Sequence, residues 1–97
     1  MLFAINDNIL PPIGATKDEM NPKAMARFVS PAIGDWFVIE AEPMNDGDIL
    51  FFGYARILDE EYGSFTLAQV LSAGAVIDDE FKPMRMSDAK NIPREGF

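Results

Sequence analysis

The chain has 97 residues, 48% of them hydrophobic, with 8 Phe, 2 Tyr and 1 Trp, and carries a net charge of −8. That length implies one domain with one modest core, and the aromatic content separates it from disordered chains. With no cysteine and no histidine, disulfides, thiolate metal sites, Ser-His-Asp triads, zinc-hydrolase centres and His-based phosphoryl chemistry are all excluded.

Sixteen acids face eight bases. Nucleic-acid binding needs a basic surface that displaces counterions, so no direct nucleic-acid partner is expected. A basic protein partner fits better, and the plainer alternative is that the acids only keep the chain soluble. No apolar run approaches the roughly 20 residues that span a bilayer. Met1–Leu10 carries Asp7 and no basic stretch, so it does not read as a signal peptide, and a cytoplasmic location without membrane attachment is the expectation.

Taken in chain order, residues 1–23 read as a short helix and a loop. Leu2, Ile5 and Ile9 stand at helical spacing, Pro11-Pro12 stops the helix, and Gly14 to Pro22 is loop-like. Residues 24–58 read as strands around a central hairpin. Ala24–Val29 is the first strand, ended near Ser30-Pro31, and Ala32-Ile33-Gly34-Asp35 is a turn. In Trp36–Ala41, simple alternation puts Trp36, Val38 and Glu40 on one face and Phe37, Ile39 and Ala41 on the other. Pro43 and Asp46-Gly47 signal a turn. Ile49–Leu58 is apolar on both faces, as a central strand is, and Gly53 within it marks a bulge or a close approach.

Thr66-Leu67-Ala68-Gln69 fits a capping box that opens a helix over Thr66–Ala73, with Gly74 just beyond its end. Glu80–Met86 reads as an edge strand because Pro83 cannot donate to a ladder. Residues 90–97 read as a tail. The expected fold is α+β: an antiparallel sheet of about four strands with one or two short helices on one face, in a single domain over residues 1–97.

Leu10-Pro11-Pro12, Ala26-Arg27-Phe28 leading to Pro31, Asp35-Trp36-Phe37-Val38, Phe51-Phe52-Gly53-Tyr54 and Tyr62-Gly63-Ser64-Phe65-Thr66-Leu67 form an ordered set. The set resembles a family of bacterial single-domain proteins carried on plasmids, integrative elements and phages, catalogued as a domain of unknown function. Its members pair an FFG stretch with a GYFSL-type stretch that opens a short helix. Phe81-Lys82-Pro83-Met84 is similar to the family's closing strand. The resemblance spans about Leu10 to Ala89 and departs at Ala32-Ile33-Gly34, where the family has a more aromatic turn. It implies a mobile-element setting and supplies no activity.

No catalytic residue, cofactor or metal site is expected. Asp46-Gly47-Asp48 lacks the ligand spacing of a calcium loop, and no Gly-rich phosphate loop is present. The candidate partner-binding residues are acidic. A central hairpin puts Asp35 with Asp59, Glu60 and Glu61 at one end, and Glu42, Asp46 and Asp48 at the other. Asp78-Asp79-Glu80 is a third cluster without an assigned place. Solvated turns are the ordinary reading of such clusters. Tyr62, beside Gly63, is the best candidate for an exposed aromatic contact, whereas Trp36, Phe51, Phe52, Tyr54 and Phe65 read as core, the alternative being that Trp36 or Tyr54 lies on an exposed face as an interface anchor.

The leading expectation is a non-enzymatic interaction protein of a bacterial mobile element, its sharpest form an inhibitor of a basic, nucleic-acid-handling defence protein of the anti-CRISPR or anti-restriction kind. The alternatives are a small-molecule-binding module, with its pocket between the sheet and the Thr66–Ala73 helix, and a homo-oligomeric structural protein.

Overall fold

The computed structural model describes residues 3–94. In chain order the elements are β1 (Phe3–Ile5), β2 (Asn8–Leu10), β3 (Lys23–Ala24), β4 (Ala26–Ser30), β5 (Gly34–Pro43), β6 (Ile49–Arg56), β7 (Glu60–Thr66), α1 (Leu67–Ser72), β8 (Val76–Ile77), β9 (Met84–Arg85) and α2 (Met86–Ala89). Five strands form one antiparallel sheet in the order β7-β6-β5-β4-β8. The fold is α+β as expected, with five strands in the sheet rather than about four.

Two of those strands escaped the sequence reading. Strand β7 begins with Glu60-Glu61 and lies at a sheet edge, so its solvated residues hide the alternation that marks a strand. Strand β8 has only two residues, too few to show a period. The expected strand over Glu80–Met86 shrinks to Met84–Arg85, which pairs with Lys23–Ala24 outside the main sheet.

The expected N-terminal helix is instead a β-hairpin. Phe3 pairs with Leu10 and Ile5 with Asn8. Asn6 and Asp7 have φ of 51° and 66°, the left-handed conformations that a tight two-residue hairpin turn demands and that Asn and Asp tolerate. Leu2, part of the helical spacing, lies outside the described residues.

The central sheet is buried on both faces. One face carries Phe28, Trp36, Val38 and Phe51, covered by the β1–β2 hairpin and by Val70 of α1. The other carries Phe37, Ile39 and Tyr54, covered by Phe81 and by Met86 and Ala89 of α2. The two helices therefore lie on opposite faces, not on one. Helix α1 has the expected capping box: the Thr66 side chain accepts from the Gln69 amide, and the Gln69 side chain accepts from the Thr66 amide. Gly74, at φ 77°, follows its end.

Register in the β5–β6 ladder slips between Val38 and Glu40. Beyond this bulge Glu40 pairs with Phe52 and Ala41 with Phe51, so simple alternation fails there. Ala41 joins the Trp36 face of the core, while Ile39 stays with Phe37. Glu40 is 3% exposed. Its carboxylate accepts from the Gly14 amide at 2.7 Å, the Thr16 amide at 2.7 Å and the Thr16 hydroxyl at 2.5 Å. Three donors satisfy the buried charge and clamp the 13–18 loop to the sheet.

Gly53 sits directly opposite Val38 at the bulge. A Cβ built there would lie 1.8 Å from the Phe37 carbonyl oxygen, so the close approach of two backbones requires glycine. Gly53→Ala is expected to separate β5 from β6, lowering stability by about 3 kcal/mol or more. Chemical denaturation checks this; a loss under about 0.5 kcal/mol would show that the strands part freely.

Candidate functional site

Strands β4, β5 and β6 run side by side and bring Arg27, Asp35 and Arg56 together at one end of the sheet. Asp35 is fully buried, and Arg27 and Arg56 are 5% and 2% exposed. Arg56 grips the carboxylate with a two-pronged fork, Nε to Oδ1 at 2.8 Å and Nη2 to Oδ2 at 2.5 Å. Arg27 donates Nε and Nη2 to Oδ2 at 3.0 and 2.6 Å. Both guanidinium groups also lie over the Phe37 ring, at 5.6 and 4.9 Å from its centre.

The second positive charge of this cluster is met by Asp78, whose Oδ2 lies 3.3 Å from Arg27 Nη1. Remaining donors reach backbone carbonyls of the C-terminal segment: Arg56 Nη1 to Ile92 at 2.7 Å and Lys90 at 3.4 Å, and Arg27 Nη2 to Pro93 at 3.4 Å. Residues 90–94, expected to be part of a C-terminal tail, are thus tied to the sheet; residues 95–97 lie outside the described residues. The Asp35 hydrogen bonds raise the Arg56 guanidinium further above its ordinary value, against the opposing pull of burial.

Asp35 was expected on a partner-binding surface. It occupies the expected end of the sheet but lies inside it, fully engaged by arginines. A charged residue beside a turn looks solvated in sequence, and only the cross-strand arginines, Arg56 opposite it and Arg27 diagonal to it, reveal otherwise. Asp78 of the unplaced third cluster belongs to the same ionic group, while Asp79 and Glu80 are exposed.

The exposed acids at this end are Asp59, Glu60 and Glu61. Glu60 is partly committed: Tyr54 donates its hydroxyl to Oε1 at 3.1 Å, and Arg94 Nη1 lies 3.5 Å from Oε2. Arg94 also donates to the Ile57 carbonyl. Leu58 is 96% exposed and Tyr62 42% exposed beside them. Tyr62 stacks on Phe52, with ring centres 6.3 Å apart, and tilts against Tyr54 at 4.8 Å. Lys90 Nζ lies 4.8 Å from both tyrosine rings.

At the opposite end Glu42 and Asp46 are exposed, but Asp48 is structural: Oδ1 accepts from the Ile49 amide at 2.8 Å and the Ala68 amide at 3.1 Å, tying the turn to the start of α1. The two acidic ends therefore do not form one surface. Among the described residues no three acidic side chains converge as metal ligands would.

An open groove of about 380 Å³ runs between the sheet and α1. Ile33, Trp36, Ile57 and Phe65 give it apolar walls, and Gln69 and Glu61 stand at its polar side. Trp36 is only 6% exposed and belongs to the core while lining this groove. Among the described residues no helix is long and apolar enough to cross a membrane. Comparison with known proteins found no matching family model, no similar curated protein and no similar solved structure.

Removing the charge of Asp35 leaves two buried guanidinium groups facing each other. Asp35→Asn is expected to cost about 3–5 kcal/mol, measured by urea unfolding; a loss below about 1 kcal/mol would mean that the cluster does not hold the strands. Burial, reinforced by the hydrogen bond to Glu60, raises the Tyr54 phenol above its ordinary 10.0. The neutral phenol is favoured in the folded state, so this contribution is complete below the unfolded value and is lost as pH rises through the folded one. Absorbance at about 295 nm should show a late tyrosinate component that Tyr54→Phe abolishes, and the variant should lose stability less steeply above about pH 10. A titration unchanged by the substitution would refute the assignment.

Proposed function

We propose that the protein is a non-enzymatic binding protein that engages a basic partner through the β6–β7 end of its sheet. The supporting observation is the exposed turn and edge strand that carry Asp59, Glu60 and Glu61 beside the uncovered Leu58 and Tyr62. Carboxylates select and steer a cationic surface, and the neighbouring apolar and aromatic side chains supply contact area. Aspartate and glutamate in such an array present anionic groups to a groove built for phosphates. This supports the sharper form of the proposal, a mobile-element inhibitor of a basic, nucleic-acid-handling host defence protein, in the cytoplasm. The sequence resemblance to plasmid- and phage-borne proteins supports the same setting.

Asp35 and Asp48 drop out of the proposed contact set, because the arginine cluster and the start of α1 use their carboxylates. Glu42 and Asp46 lie at the far end of the β5–β6 hairpin and belong to a separate, weaker candidate surface.

The groove beside Trp36 supports a second reading, a small-molecule-binding module. Its position between the sheet and α1 and its apolar walls suit a small, largely apolar ligand.

The test is capture from a nuclease-treated host lysate with the native chain and with the triple variant Asp59→Asn, Glu60→Gln, Glu61→Gln. A basic protein retained by the native chain at low salt, released at high salt, and bound at least about tenfold more weakly by the variant is the expected result. Equal capture by both chains would refute this surface. A ligand carried through purification that quenches Trp36 fluorescence would favour the groove instead.

A further inference from the structure

A second recess lies on the opposite face of the β6–β7 ladder from the Trp36 groove. It is an open recess of about 330 Å³, at the lower end of the roughly 300–1,000 Å³ typical of small-ligand pockets. Phe52 and Tyr62, stacked on one another, line its aromatic side. Lys90 lines it from beyond the end of α2, and Thr16, Lys17 and Met20 line it from the N-terminal loop.

Four features give this recess its chemistry. Lys17 and Lys90 both line it, and Lys90 Nζ is held 4.8 Å from the Tyr54 and Tyr62 ring centres. Glu19, the one acid in the lining, is paired with Arg85 at 3.6 Å, so the lining is cationic in a chain whose net charge is −8. The Glu40 carboxylate lies behind Thr16, but its oxygens are taken up by two amides and a hydroxyl. That clamp holds the loop carrying Lys17 against the sheet before any ligand arrives, which lowers the ordering cost of binding. Met20, at the rim, is fully exposed at 101%, a flexible thioether available to fold over an apolar ligand.

We infer that this recess binds a small planar anion, an aromatic ring bearing a phosphate or carboxylate. The ring lies against Phe52 and Tyr62 and is covered by Met20, while the anionic group is held by Lys17 and Lys90. Stacking and charge act together, so neither half of such a ligand binds well alone. The recess shares Tyr62 with the acidic end proposed to hold a protein partner, while Lys17, Met20, Phe52 and Lys90 lie outside that contact set.

The test is a titration of the ¹⁵N-labelled full chain, followed by amide NMR, with 1-naphthyl phosphate, inorganic phosphate and 1-naphthol. Naphthyl phosphate is expected to shift the amides of the 16–20 loop, Phe52, Tyr62 and Lys90, and to bind at least about tenfold more tightly than either fragment. Lys17→Glu, on an exposed loop, should weaken it by about tenfold or more and leave the rest of the spectrum unchanged. Lys90→Met, which keeps the packing on the tyrosines, should act in the same direction. Naphthol or phosphate binding as tightly as the whole probe, shifts confined to the Trp36 groove, an unaffected Lys17→Glu variant, or no shift at millimolar probe would each overturn the inference.

Discussion

One carboxylate holds the centre of this protein together. Asp35 takes four hydrogen bonds from two arginines on the strands either side of its own, in a site with no access to solvent. Removing three charged groups from water is expensive, and the attraction repays it only when every lone pair and proton is used. Here that condition also organises the chain. The donors left over by the carboxylate are met by Asp78 and by the carbonyls of Lys90, Ile92 and Pro93, which ties the segment after α2 across the strand ends. The ionic cluster thus fixes where Lys90 stands, and with it one wall of the recess on that face.

Glu40 plays a comparable part at the other end of β5. The bulge that pairs it with Phe52 also brings it under the 13–18 loop, where three donors converge on it. Gly53 permits the close backbone approach at the same point. Two acids that look like surface charges in composition are therefore internal fasteners, each placing a segment that has almost no regular structure of its own. Of the surface acids that remain, Asp7, Asp46 and Asp59 stand in hairpin turns, while Asp18, Glu19, Asp79, Glu80 and Asp88 lie in connecting segments and in α2.

Much of the architecture was legible in the residues. The Thr66–Gln69 capping box, the Gly74 stop, the Asp46-Gly47 turn and the doubly apolar central strand each depend on local chemistry, and each is present. What stayed hidden depends on distant pairing. The Leu2, Ile5 and Ile9 spacing fits a helix, yet Asn6-Asp7 turns the chain back on itself, because two residues that tolerate positive φ outweigh a short apolar period. Strand β7 was obscured by its own exposure. For the site, Asp59, Glu60, Glu61 and Tyr62 could be picked out as exposed candidates, but nothing near Asp35 in sequence announced two arginine partners at 8 and 21 residues' distance. The lysine–aromatic recess was equally invisible, since it joins residues from the N-terminal loop, the sheet and the C-terminal segment.

The open edge of β7 has a consequence for how the protein behaves at high concentration. A seven-residue strand with one free side offers unpaired backbone groups on which another chain can grow a sheet, the usual route to edge-to-edge aggregation. Glu60 and Glu61 at its start place charge on that edge, and at the far side of the sheet β8 is only two residues long. Charge on one edge and brevity at the other are two of the ways in which a sheet guards its open edges against such pairing.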